Sequence, residues 1–174
     1  MRFQNSYQIF HDQLKLYSIY DTLSRPIIVS DNIRSPENMG AILRLAGNIG
    51  VLQTLFISDK ASTFKKHKVN RTASGGSEKT NWEIIKANEL MTSMPADYTL
   101  VAIETTTNAQ NIYQFKFPAK TSFLIGNEIA GIRDEVIKFA GHKVYIPIPG
   151  PISSLNVTHA LAIALFEWLR QQMM

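Results

Sequence analysis

Cysteine is absent from the 174 residues of this sequence. Its absence excludes disulfide bonds and thiolate metal ligands, and it is typical of proteins in a reducing compartment. Histidine is scarce as well, and its four positions lack the spacing of a zinc site: His11, His67, His142 and His159. We therefore expect no metal centre in this protein.

Long apolar segments and phosphate-binding fingerprints are also missing. The N-terminus lacks the apolar core and small-residue cleavage site of a secretory signal. The apolar stretch Ala160–Phe166 is far shorter than the roughly 18 residues that a membrane span needs. Neither GxGxxG nor GxxxxGKS/T occurs, so the sequence carries no dinucleotide or P-loop signature. We expect a cytoplasmic protein without membrane contact.

The overall composition is that of an ordinary globular protein, with 45% hydrophobic and 18% charged residues. The length fits one domain with a sizeable core. The formal net charge of +4 is compatible with an anionic partner such as nucleic acid, although many basic proteins bind none. Function must therefore be inferred from individual motifs.

Short apolar runs alternate with helical patterns along the chain. After a helix over residues 5–20, we predict strands at Pro26–Ser30, Thr54–Ser58, Thr99–Ile103, Ser122–Ile125 and Lys143–Ile146. Helices are predicted at Pro36–Ile49, Lys86–Met94, Arg133–Ala140 and Asn156–Gln172. This alternation predicts an α/β domain with a mostly parallel sheet flanked by helices. In such sheets ligands bind beyond the carboxyl ends of the strands, so we expect a site in the loops there.

The helix predicted at Pro36–Ile49 has clear boundary signals, because Ser35 can cap its start and Gly50 can end it. Arg44 lies roughly opposite the core side of this helix, between Gly40 and Gly47. Glycine inside a helix costs about 1 kcal/mol relative to alanine, so we expect a neighbour to approach this face closely. The alternative is an exposed arginine on an ordinary amphipathic helix, with Asn38 as a capping or solvent-facing residue.

Two later loops also combine glycine or proline with polar residues. In TSFLIGNEIAGI, Gly126 and Gly131 allow the backbone to approach a ligand, and Glu128 adds a carboxylate. The alternative is a glycine turn with a helix-initiating glutamate. In IPGPISSLN, Ser153, Ser154 and Asn156 are all good N-cap residues, although a helix needs only one. The surplus indicates a polar pocket at a helix N-terminus. His159, one turn further on, is interpreted as structural.

A basic run follows the second predicted strand, within FKKHKVNRTASGGSEK. Most runs of this kind are solvated surface. Because this one lies beyond the end of a strand, we expect contacts with a phosphate backbone from four side chains: Lys65, Lys66, Lys68 and Arg71.

Three motifs in order resemble those of the SpoU-type (TrmH-like) RNA 2′-O-ribose methyltransferases of the SPOUT superfamily: ENMGAILRLAGNIGV, FLIGNEIAGI and IPIPGPISSLNVTHALAIALFEW. The match implies a methyltransferase domain over residues 26–174, preceded by an N-terminal helical extension over residues 1–25. It implies an S-adenosylmethionine-dependent enzyme that methylates a ribose 2′-hydroxyl of tRNA or rRNA. It also implies a deep C-terminal trefoil knot and a homodimer that shares its active sites.

The same resemblance assigns residues to roles. The residues implied in catalysis are Asn38, Arg44, Glu128, Ser154 and Asn156. Those implied in cofactor binding are Ile103, Glu104, Thr105, Gly126, Ile146 and Leu155. Arg44 is also expected to contact RNA, together with the four side chains of the basic run. The proton acceptor, the target nucleotide, the choice between tRNA and rRNA and the role of residues 1–25 stay open.

Two other functions compete with this interpretation. A catalytically silent RNA-binding relative would share the fold, but the full set of implied catalytic residues argues against it. An unrelated nucleotide-binding α/β enzyme could use the turn at Gly126, but the missing phosphate-loop motifs argue against that.

Overall fold

The computed structural model describes residues 5, 6, 8, 9, 12, 19–59, 69, 73 and 76–174. Within this part of the chain the strands are β1 (Ile27–Asp31), β2 (Gln53–Ile57), β3 (Trp82–Ile85), β4 (Thr99–Ile103), β5 (Gln110–Asn111), β6 (Thr121–Ile125) and β7 (His142–Tyr145). The α-helices are α1 (Pro36–Ile49), α2 (Gly76–Lys79), α3 (Asp134–Ile137) and α4 (Val157–Gln172). Two 3₁₀ helices lie at Ile19–Asp21 and Ala87–Glu89.

The strands form one sheet in the order β3-β2-β1-β6-β4-β7-β5, and every described pairing is parallel. The predicted α/β fold is therefore confirmed. Strand β1 lies between β2 and β6, and its five residues are buried. A continuous apolar run such as Ile27–Val29 suits this position, because a central parallel strand is covered on both faces.

Each face of the sheet has its own apolar core. On one face, Ile28 of β1 packs with Met39 and Ile42 of α1 and with Trp168 of α4. On the other face, Ile27 packs in a cluster that includes residues of the 87–94 segment and of α3. The alternation of neighbouring strand residues between the two faces explains how one apolar strand supplies both cores.

Helix α1 has the predicted boundaries. The Ser35 hydroxyl accepts a hydrogen bond from the Asn38 backbone N–H at 3.2 Å, and Gly50 ends the helix with φ of 74°. A Cβ atom on Gly47 would lie 3.6 Å from Thr80 Cγ2, so the neighbour on this face belongs to the same chain. Gly40, predicted beside Arg44 on the outer face, is instead buried.

Two predicted helices are wrong in extent. In the segment 86–94 only Ala87–Glu89 is helical, as a 3₁₀ turn in which the Glu89 carboxylate accepts from the Lys86 N–H. Leu90 and Met94 are both buried, so their spacing of four residues imitates a helix. The helix predicted at Arg133–Ala140 is only Asp134–Ile137.

The short α3 results from the connection to the next strand. Phe139 and Ala140 donate to the carbonyl groups three residues earlier, and the Gly141 N–H then donates to the Leu100 carbonyl at 2.8 Å. The chain therefore leaves the helix early to enter β7. Two strands were not predicted: β3, and the two-residue β5, which lacks β-branched residues.

The helix predicted at residues 5–20 lies largely outside the described residues. Ser6, Gln8, Ile9 and Asp12 have helical backbone, and Ile19–Asp21 is a 3₁₀ turn. Among the described residues no helix is long and apolar enough to cross a membrane. The described part of the chain also contains no group of three or more His, Asp or Glu side chains arranged to hold a metal ion.

Candidate active site

The carboxyl edge of the sheet gathers the loops that follow β1, β4, β6 and β7. Strand β1 is the point where the connections change direction: β2 and β3 lie on one side of it, and β4 to β7 on the other. Ligands of parallel α/β sheets bind at such a switch point, outside the carboxyl ends of the strands. The chain segments here are 32–35, 104–109, 126–133 and 146–156.

The loop after β6 folds back on itself at two glycines. Asn127 and Gly131 exchange backbone hydrogen bonds of 2.9 Å in both directions, and Gly131 has φ of 69°. A Cβ atom on Gly126 would lie 2.3 Å from the carbonyl carbon of Gly131, so only glycine fits there. The glycines predicted to allow close backbone approach are therefore needed first for the turn itself.

A chain of polar side chains joins three of the five residues implied in catalysis. The Asn156 side-chain amide donates to Asn38 Oδ1 at 3.4 Å, and Asn38 Nδ2 donates to Glu128 Oε1. Asn156 also caps α4, because its Oδ1 accepts from the Thr158 N–H at 2.8 Å. Residues from three distant segments of the chain thus meet in one hydrogen-bonded network at the sheet edge.

Two adjoining cavities lie beside this network. The first, about 240 Å³, is bordered by the turn after β6, including Glu128. The second, about 140 Å³, is bordered by the loop after β7. Both are lined by Ile103, Glu104, Ser154, Leu155 and Ala160. The six residues implied in cofactor binding each line at least one cavity: Ile103, Glu104, Thr105, Gly126, Ile146 and Leu155.

Glu104 forms one wall of both cavities. Its carboxylate accepts from the Ile132 N–H at 3.1 Å and from the Thr105 N–H at 3.1 Å. A Cβ atom on Gly131 would lie 2.8 Å from Glu104 Oε2, so this carboxylate packs closely against the glycine turn. The pocket therefore presents a negatively charged group at its wall.

Arg44 is exposed on α1, and the hydrogen bonds described for the Asn38 network do not include it. Ser154 is exposed as well, but it borders both cavities. His159, interpreted as structural, is exposed on the first turn of α4. The predicted RNA contacts in the basic run, Lys65, Lys66, Lys68 and Arg71, lie outside the described residues.

The sequence does not predict the ion pair between Asp31, at the end of β1, and Arg133. Asp31 is fully buried and accepts from the Arg133 guanidinium at 2.7 and 2.9 Å. Its other oxygen accepts from the Arg133 backbone N–H at 2.8 Å, and Asp59 and Glu135 also pair with the guanidinium. Hydrogen bonding to Asp31 raises the pKa of Arg133. An aspartate directly after the predicted strand Pro26–Ser30 is the available signal, but its partner is 102 positions away.

An all-parallel α/β sheet with a cavity and a polar network at its switch point is typical of α/β enzymes, which bind their ligands at this place. Residues 25–166 match the SpoU rRNA Methylase family. The chain therefore belongs to the SpoU rRNA methylase family.

Relatives of known function include RNA 2′-O-methyltransferases. The tRNA (guanosine(18)-2′-O)-methyltransferase of Aquifex aeolicus is 28% identical over 173 residues, which are 95% of this chain and 80% of that protein. The 23S rRNA (guanosine-2′-O-)-methyltransferase of Acinetobacter baylyi is 25% identical over 150 residues, 84% of this chain and 60% of that protein. This chain thus spans three fifths of the length of the ribosomal relative.

Solved structures agree with the fold. The SpoU methyltransferase AviRb from Streptomyces viridochromogenes, in complex with AdoMet, superposes with a TM-score of 0.77 at 26% identity, over 87% of this chain and 59% of that chain. The TrmH/SpoU tRNA modifying enzyme of A. aeolicus gives 0.76 at 24% identity, over 95% of this chain and 85% of that chain, and shares the fold.

Proposed function

We propose that this protein is an S-adenosylmethionine-dependent methyltransferase that transfers a methyl group to a ribose 2′-hydroxyl of tRNA or rRNA. Family membership and the named activities of its relatives support the reaction class. The observation that carries the proposal is the adjacency of the cavities to the Asn38–Glu128–Asn156 network. A ribose hydroxyl held by that network would lie next to a cofactor held in the cavities.

The cavity walls suit S-adenosylmethionine. Apolar side chains such as Ile103 and Leu155 can pack against its adenine ring, while the Glu104 carboxylate complements its positive charge. Gly126 contributes backbone atoms to the wall of the larger cavity. When bound, the cofactor supplies an electrophilic methyl group on a sulfonium.

Asn38, Ser154 and Asn156 are proposed to position the ribose. They bring hydroxyl and amide groups, which donate and accept hydrogen bonds without carrying charge. A displacement at carbon needs its reacting atoms aligned, so fixed positions are the main contribution the protein makes. The hydrogen bond from Asn156 to Asn38 fixes these two side chains relative to each other before substrate binds.

Arg44 is proposed to bind the target phosphate and to stabilise charge that develops on the ribose oxygen. A guanidinium keeps its proton in proteins and forms bidentate, charge-assisted hydrogen bonds with phosphate. It therefore serves as a charged donor rather than as a base. Three groups are chemically able to take the hydroxyl proton: Glu128, a phosphate oxygen of the substrate, and water.

The proposal includes a C-terminal trefoil knot and a homodimer. Arg44 is exposed and lies outside the network of Asn38, which is compatible with a shared site that the partner's Arg44 would complete. Phe166 of α4 is 53% exposed and offers an apolar contact for a second copy. The division at residue 25 and the cytoplasmic location stay predictions.

The test is transfer of radiolabelled methyl from S-adenosylmethionine to tRNA and rRNA, followed by mass spectrometry of the nucleosides. We expect one 2′-O-methyl nucleoside to appear. Arg44→Ala should abolish transfer and leave cofactor binding unchanged by calorimetry. Absence of cofactor binding by the wild-type protein would favour a silent RNA-binding relative, and full activity of the variant would contradict the role of Arg44.

A further inference from the structure

The side chain of Asn127 lies at the centre of the contacts between the turn after β6 and the loop after β1. Its Nδ2 donates to the Asn32 carbonyl at 2.9 Å and to Glu128 Oε2 at 3.2 Å. Its Oδ1 accepts from the N–H groups of Ile129 at 3.0 Å and Ala130 at 3.1 Å. One amide therefore forms four hydrogen bonds, of which three stay within its own turn and one reaches the loop after β1.

The bond to Asn32 links the turn to the loop after β1, which precedes the first motif. Asn32 is the described non-glycine residue with positive φ, 55°, a conformation that asparagine tolerates better than most residues. Its N–H donates to the Ile57 carbonyl at 2.9 Å, so the residue is also held by the end of β2. The Asn127 amide is thus anchored to a backbone carbonyl whose orientation is set by the sheet.

The bond to Glu128 restrains an exposed carboxylate. Glutamate has three side-chain torsions and, on a surface, would sample several rotamers. Here Oε2 accepts from Asn127 while Oε1 accepts from Asn38, so the carboxylate is held from both sides. Hydrogen bonds to a charged group are about twice as strong as neutral ones, which makes this restraint effective.

We propose that Asn127 is a positioning residue for the methyl transfer, acting through Glu128. This inference rests on the proposed function and deepens it. Asn127 transmits the position of the β1 loop to the Glu128 carboxylate and holds that carboxylate against Asn38 before RNA binds. Asn127 also borders the larger cavity, but the proposed role is exerted through Glu128 and not through a contact with the ribose.

Asn127→Asp is the variant that tests this positioning role most directly. Aspartate has the same shape and keeps the Oδ1 acceptor for the turn, but it lacks both Nδ2 donors and adds a negative charge beside Glu128. We expect kcat to fall by about 10- to 100-fold, the range for losing a hydrogen bond to a charged group. The KM for RNA should stay at its wild-type value, and the melting temperature should fall only modestly, because the part-buried Asn32 carbonyl loses one donor.

Asn111→Asp is the matched control. Asn111 forms a turn of the same kind, since its Oδ1 accepts from the Tyr113 N–H at 3.0 Å, but it lies on the edge strand β5. This variant should have wild-type activity. A loss as large as that of Asn127→Asp would indicate a general effect of the added charge and overturn the proposal.

A double-mutant cycle with Glu128→Gln separates positioning from structure. If Asn127 acts through Glu128, Asn127→Asp should cause no further loss of single-turnover rate in the Glu128→Gln background. Equal losses in both backgrounds, or full activity of Glu128→Gln alone, would overturn the proposal. If the Gln variant has no measurable rate, the split between kcat and KM in Asn127→Asp decides instead, and a raised KM with an unchanged kcat counts against the proposal.

The wild-type assay keeps this inference separate from the proposed function. A wild-type protein that methylates no RNA contradicts the proposed function. A wild-type protein that methylates RNA, with an Asn127→Asp variant of equal kcat, contradicts only the positioning role.

Discussion

The Asn38 side-chain amide donates a hydrogen bond to the Glu128 carboxylate, although 90 positions separate the two residues. Asn38 is on the first turn of α1, and Glu128 is in the turn after β6. The contact exists because β6 pairs directly with β1, which brings the loops after both strands to the same edge. The first and second motifs of the sequence therefore form a single polar unit.

Asn38→Asp should abolish the hydrogen bond between Asn38 and Glu128 without unfolding the protein. The variant loses the donor to Glu128 and places a second carboxylate against it, so we expect methyl transfer to fall by about 10- to 100-fold. Stability should change by less than about 1 kcal/mol, because the site is partly exposed and an acid suits the first turn of a helix. Transfer assays and thermal unfolding measure both. The same change at Asn111, on the edge strand β5, should leave activity unaltered. Wild-type activity of Asn38→Asp would contradict the prediction.

Gly126→Ala should destabilise the fold. The added Cβ would lie 2.3 Å from the Gly131 carbonyl carbon and 2.4 Å from the Ile132 nitrogen, and backbone atoms have little freedom to move away. Overpacking of this kind costs about 1–3 kcal/mol. Urea unfolding measures the change, with Gly141→Ala as the control, since its Cβ would meet Thr99 Cγ2 at an ordinary 3.5 Å. Equal stabilities of the two variants would show that the turn can relax.

Arg133→Met should cost more than the loss of a surface ion pair. It leaves the carboxylate of Asp31, which is fully buried, with a backbone donor but no positive partner. Removing one member of a buried pair costs about 3–5 kcal/mol. Lys120→Met, which breaks the exposed pair with Asp97, should have a much smaller effect in the same urea titration.

The double variant Asp31→Asn/Arg133→Met tests the cause of that loss. If the uncompensated buried charge is responsible, neutralising Asp31 should restore part of the stability that Arg133→Met removes. Additive losses in the double variant would instead indicate that shape and packing dominate.

Local signals predict some elements of this fold well. Ser35, Pro36 and Gly50 define α1 because caps and stops act over a few neighbouring residues. The run Ile27–Val29 predicts a buried strand because its continuous apolar pattern is likewise a property of neighbouring residues. Strand β5 escapes prediction because it has only two residues, Gln110 and Asn111, and is held by pairing with β7 rather than by its own propensity.

The contacts between distant residues of the site cannot be predicted from local signals. The motifs identify Asn38, Glu128 and Asn156 as candidate catalytic residues. The hydrogen bonds among them depend on the strand order, which no local pattern encodes. Asn127 lies inside the second motif, yet its role depends on the carbonyl of Asn32, 95 positions earlier. Sequence reasoning therefore identifies the chemical groups, and the fold determines which of them act together.

Glu167 should contribute to stability in a pH-dependent way. Its carboxylate accepts from the Arg170 guanidinium at 2.7 and 2.9 Å and from Gln171 at 2.8 Å, and the bond to Arg170 lowers its pKa below the ordinary 4.5. A pKa depressed by folding means that the unfolded state binds the proton more readily. The stabilisation is thus fully present above the unfolded value and is lost as the pH falls through the lower, folded value.

Glu167→Gln should consequently be less stable than the wild type at neutral pH, and the difference should shrink as the pH falls below about 4.5. Urea unfolding at a series of pH values measures this difference directly. Arg170→Met should flatten the wild-type pH dependence in the same window, because it removes the group that lowers the pKa of Glu167. A difference that stays constant from neutral pH to pH values well below 4.5 would mean that the ion pair on α4 does not couple folding to proton binding.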